Sequence, residues 1–127
     1  MKPITKEMLT IYTPLSNLDW MNYKLVENKL TNHHIIKRED GGTLKIHNIA
    51  LLMPIAHSYL HVIEYKDIKT YDAINKIFRY VNNQRQEPTQ EQRELIEYLL
   101  LEFEQEHIED KNSKGKQLIR KPYLDRW

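Results

Sequence analysis

HHIIKREDGGTLKIHNIALLMPIAHSYLH, residues 33–61, is the stretch whose reading decides the fold. It holds His33, His34, His47, His57 and His61, five of the six histidines in the chain. Two short apolar runs, Ile35-Ile36 and Leu44-Lys45-Ile46, flank Asp40-Gly41-Gly42. That pattern predicts two strands joined by a tight hairpin whose glycines supply positive φ. Pro54 suits the first turn of a helix, where its missing N–H costs nothing. A helix is expected from about Pro54 to Tyr65, giving the local order strand, strand, helix.

That order gives the histidines a chemical reading. His57 and His61 lie four apart, so on a helix their β-carbons are about 5–6 Å apart and both imidazoles can reach one ion. His33 and His34 are neighbours on the first strand and point to opposite faces. One can complete a metal site while the other acts elsewhere. Phosphodiester hydrolysis needs that division of labour, with a cation for the developing charge and a neutral imidazole to take a proton from water.

The compound pattern of His33-His34-Ile35-Ile36, Gly41-Gly42, His47-Asn48-Ile49-Ala50-Leu51-Leu52, and His57 with His61 resembles the HNH endonuclease motif. This is the ββα-metal finger of the His-Me superfamily, and the spacing is similar to that of colicin-type nuclease domains. The resemblance covers about a quarter of the chain. It implies an α+β fold, with a ββα-metal finger embedded in a small, mostly helical domain. It implies that His34 is the general base, that His33, His57 and His61 ligate one divalent cation, and that the Asn48 amide holds the hairpin loop that orients His34. Many relatives carry aspartate where His33 stands and cysteine where Ala56 stands, so zinc-knuckle support is not expected here. An all-imidazole site suits zinc, nickel or manganese, with magnesium as a further candidate. The implied activity is nicking or low-specificity cleavage of DNA, with RNA a further possible substrate, in a bacteriophage or mobile-element setting. The alternative is a non-catalytic binding module on the same fold.

The flanks are read from the residues alone. Residues 1–31, with Pro3, Pro14 and Asn17 as breaks and Trp20, Tyr23, Leu25, Val26 and Leu30 as apolar anchors, predict an irregular arm followed by a short helix. The finger is expected over 32–66 and helical support over 67–110. Tyr71, Ile74, Ile77, Phe78 and Val81 form one buried helical stripe; Ile96, Leu99, Leu100, Phe103 and His107 form another. Thr89, with Gln92 three residues on, predicts a capping box. The helix of 89–110 carries Glu91, Glu94, Glu97, Glu102, Glu104, Glu106, Glu109 and Asp110 against Arg93, so it is assigned to the side away from DNA, as a possible surface for a protein partner.

Residues 111–127 form a basic tail. Arg120 and Lys121 there, with Lys37, Arg38 and Lys45 beside the hairpin, are the candidate phosphate contacts, and Lys66, Lys69, Lys76 and Arg79 extend that surface. His47 is expected at or near the surface, and His107 in a structural or solvent-facing position.

The 127 residues suffice for one compact domain. A net charge of +1 leaves nucleic-acid binding to local patches. The absence of cysteine excludes disulfides, thiolate catalysis and cysteine-type zinc sites. Met1 to Leu15 lacks a continuous apolar stretch, so no membrane association is expected and the cytoplasm is the expected location.

Overall fold

The computed structural model describes residues 1–107. The architecture is α+β: helix α1 (Pro3–Ile11), strands β1 (Thr31–His34) and β2 (Ile49–Leu52), and helices α2 (Pro54–Lys66), α3 (Ile68–Gln84) and α4 (Gln90–Glu106). The strands form one antiparallel pair in which His33 faces Ala50 and His34 faces Ile49. No helix of the described residues is long and apolar enough to cross a membrane.

The three C-terminal helices follow from their patterns. Pro54 opens α2. Tyr71, Ile74, Ile77, Phe78 and Val81 are all buried along α3, and Ile96, Leu100 and Phe103 along α4. Thr89 and Gln92 form the expected reciprocal capping box. The core joins these helices to the N-terminal segment through Trp20, whose ring meets Tyr12 at 5.2 Å and Phe78 at 6.1 Å, both edge-to-face. Burying an aromatic ring of this kind stabilises the fold by roughly 1.5–3 kcal/mol.

Three expectations are corrected. The N-terminal segment runs helix first: Pro3 starts α1, and the irregular stretch follows, with only a 3-10 turn at Glu27–Lys29. The strands lie outside the predicted runs, at 31–34 and 49–52. Residues 35–48 therefore make a long connection with 3-10 turns at Arg38–Asp40 and Ile46–Asn48, not a tight hairpin. Of this loop's two glycines, Gly41 has positive φ, at +92°, while Gly42 is needed for space.

The third correction concerns α4, where Arg93 and Glu97 point inward. The Arg93 guanidinium donates to the Asp19 carbonyl at 2.7 Å and to Asn22 Oδ1, Ser16 Oγ and Glu87 Oε1 at 2.9–3.1 Å. Asn22 in turn donates to Glu97. A buried guanidinium is tolerated because its donors are so fully engaged.

Asp19 ties this layer to α2. Its carboxylate accepts the backbone N–H of Met21, Tyr23 and Met53 at 2.8–2.9 Å, and Met53 is the residue that caps α2. Burial pushes the Asp19 carboxyl up to about 6 even with these donors and Arg93 nearby.

Candidate metal centre

Alternation along β1 sorts its side chains onto two faces. Asn32 exchanges hydrogen bonds with Thr5 of α1 at 3.0 and 3.3 Å. Thr31 and His33 face the other way. The His33 ring lies 5.3 Å from His57 and 6.3 Å from His61, and the latter two stack at 4.9 Å. The structure thus gathers His33, His57 and His61 into one cluster, with His34 on the opposite face of the strand.

Each ring of the cluster is held through one nitrogen. The Thr31 hydroxyl spends its proton on the Leu52 carbonyl at 2.7 Å, so its oxygen accepts from His57 Nδ1 at 2.9 Å. His33 Nε2 meets Asn75 Oδ1 at 2.8 Å. His61 Nδ1 meets the Glu64 carboxylate, which can only accept, at 3.1 Å. In the neutral form of each ring these bonds leave one nitrogen bare: Nδ1 of His33, and Nε2 of His57 and His61. Oxygen acceptors on the outer nitrogen are the usual way a ligating histidine is oriented.

Burial disfavours the charged form of the two inner rings, His33 and His57. His33 is 2 % exposed; its burial pulls the imidazole down to about 4, with His57, His61 and His34 adding to the effect against the Asn75 bond. His57 is lowered by burial and then by His61 and His34. The donor nitrogens do not all converge to within 4.8 Å. Zinc–nitrogen bonds are about 2.0–2.1 Å, so binding one ion requires the rings to draw together. His61, with 54 % of its side chain accessible, has room to move.

Among the described residues, the group of three whose ligand atoms all lie within 4.8 Å is Asp67, Glu106 and His107. It lies at the ends of α2 and α4. Its His107 ring packs on Phe103 at 4.4 Å.

Asn48 is buried at the end of the long connection. Its Oδ1 accepts the Ile36 N–H at 2.8 Å, and its Nδ2 donates to the carbonyls of Ile36 and Thr43 at 3.0 Å. The loop that follows His34 is thereby closed on itself. Arg79 of α3 adds a second hold, donating to Asn48 Oδ1 at 3.1 Å and to the His47 carbonyl. His47 itself is exposed.

Two clefts, of about 680 and 410 Å³, share His34, Arg38 and His57 in their walls. Arg38 is exposed at this junction. Lys37 forms ion pairs with Glu64 and Glu39 and lies 5.9 Å from the centre of the Tyr71 ring. Lys45 is exposed before the second 3-10 turn. Arg120 and Lys121, with the rest of the basic tail, lie outside the described residues.

Sequence reasoning passed over Thr31, Glu64 and Asn75, the three anchors. Asn75 had a legible signal, a polar residue beside Ile74 in an otherwise apolar stripe. Thr31 had none, because a strand threonine is ordinary. Comparison with protein-family models, curated proteins and solved structures finds no match for the chain.

Proposed function

We propose that the chain is a metal-dependent endonuclease of the HNH type that hydrolyses DNA phosphodiester bonds, with β1, β2 and α2 acting as a ββα-metal finger. The observation that carries this reading is the set of three clustered imidazoles, each with one ring nitrogen set against an oxygen: Thr31 Oγ1 for His57, Asn75 Oδ1 for His33 and a Glu64 carboxylate oxygen for His61. A core histidine needs no such arrangement in triplicate. Drawn together, His33, His57 and His61 suit a single divalent cation, zinc, nickel or manganese before magnesium, whose preferred donors are oxygens.

When bound, such a cation supplies Lewis-acid stabilisation of charge on the phosphate and the leaving oxygen. The chain's own residues do the rest. His34, half-exposed where the two clefts meet, accepts a proton from the attacking water at a ring nitrogen. Asn48 and Arg79 fix the loop that leaves β1 immediately after His34. Arg38 offers a guanidinium to the phosphate at the same junction.

Supercoiled plasmid incubated with purified protein, with EDTA or with each metal added back, tests the reading. Nicking that requires metal and disappears in His34→Ala, with the fold retained, supports it. Folded, metal-loaded protein that cuts nothing overturns it.

A further inference from the structure

Asn75 and His33 form a buried pair between α3 and β1, 9 % and 2 % exposed, with 2.8 Å between Oδ1 and Nε2. The oxygen of the amide is the atom turned to His33. An oxygen there accepts only from a protonated Nε2, so the ring proton sits on Nε2 and Nδ1 is left bare. Water does not compete for a pair this deep.

We propose that Asn75 is the positioning residue of the candidate centre: it fixes the Nε2–H tautomer of His33 and so presents Nδ1, while His57 and His61 present Nε2. The assignment rests on the metal reading above. The resulting ligand set is mixed, one Nδ1 and two Nε2. Its action on the ion runs through His33, the ring it holds. The 42-residue separation between the two partners also makes this bond a long-range tie that ordinary local structure does not require.

The test uses the full chain labelled with nitrogen-15 and stripped of metal. Long-range proton–nitrogen correlation spectra read the tautomer of His33 directly, and calorimetric titration with Zn²⁺ alone reads affinity. Wild type is expected to show protonated Nε2 and bare Nδ1. Asn75→Leu, which keeps volume but removes the acceptor, is expected to mix the tautomers and weaken Zn²⁺ binding about 10–100-fold. Asn75→Asp, which retains the acceptor, is expected to keep both the tautomer and Zn²⁺ binding. A wild-type His33 carrying its proton on Nδ1 overturns the proposal without any variant, as does Asn75→Leu that folds with tautomer and affinity unchanged. Wild type that binds no Zn²⁺ overturns the metal reading itself, so the two failures are told apart.

Discussion

A Cβ placed on Gly42 would fall 1.8 Å from the carbonyl oxygen of Ile36 and 2.9 Å from Asn48 Nδ2. The loop after His34 therefore closes only because residue 42 has no side chain. Gly41 differs: its φ of +92° is strained for other residues, yet a Cβ there meets nothing within 4 Å. Gly42→Ala should cost about 1–3 kcal/mol, since backbone must move to admit it. Gly41→Ala should cost about 1 kcal/mol from the left-handed backbone alone. Urea unfolding of both variants checks the order; a milder Gly42→Ala would show that the loop closes differently.

The same loop shows where the sequence was legible and where it was not. Helices α2, α3 and α4 could be read because their signals are local and repeated, as in the α3 stripe from Tyr71 to Val81 or the Thr89–Gln92 box; α1 was missed. The strands could not. β1 is Thr-Asn-His-His, with no apolar alternation, because its two faces are spent on hydrogen bonds to α1 and to the histidine cluster. β2 is Ile-Ala-Leu-Leu, buried throughout, and so has no period of two to find. Ile35-Ile36 and Leu44-Lys45-Ile46 looked more strand-like but belong to the connection. The pairing of His57 with His61 could be read from spacing, and alternation placed one of His33 and His34 beside them; the choice of His33 came from the family resemblance. Arg93 and Glu97 were assigned outward because charge usually is, whereas Ser16, Asp19 and Asn22 fold over that face of α4 to receive them.

The capping box makes a prediction about α4. Thr89 Oγ1 accepts the Gln92 N–H at 3.2 Å, and the Gln92 side chain accepts the Thr89 N–H at 2.9 Å. Gln92 also exchanges two 2.9 Å bonds with Gln84 at the end of α3. Thr89→Ala should cost about 1 kcal/mol, and Gln92→Ala more, because only the second also unties α3 from α4. Thermal unfolding of the two variants measures the difference; equal losses would remove the inter-helix role of Gln92.

Arg38 and Arg79 are both cations near the loop, but their surroundings differ, and under the proposed function so does their work. Arg79 is occupied by Asn48 and the His47 carbonyl, whereas Arg38 is exposed where the two clefts meet. Arg38→Ala should weaken DNA binding and lower the salt dependence by about one phosphate contact, leaving stability nearly unchanged. Arg79→Met should lose about 1–2 kcal/mol of stability and leave the salt slope as in wild type. Binding isotherms at several salt concentrations, beside urea unfolding, separate the two. A reduced slope in Arg79→Met would return that residue to the phosphate-contacting surface.

The buried histidine and the buried aspartate set opposite pH dependences in the metal-free protein. His33 falls from an ordinary value of 6.5 to about 4 on folding. The unfolded chain thus takes the proton first, and the stability His33 contributes is present above 6.5 and is lost as pH falls toward 4. The full span is about 3 kcal/mol, from roughly 1.4 kcal/mol per unit. Asp19 rises from 3.8 to about 6, so its contribution is present below 3.8 and is lost as pH rises through 6. The two largely offset each other between pH 4 and 6. His33→Gln removes one of them and leaves Asp19 in place, so Asp19 cancels from the difference between variant and wild type. That difference, measured by urea unfolding in EDTA, should move in favour of the variant by about 3 kcal/mol between pH 7 and pH 4. A difference that stays constant with pH would mean that His33 is not neutral and buried in the folded chain.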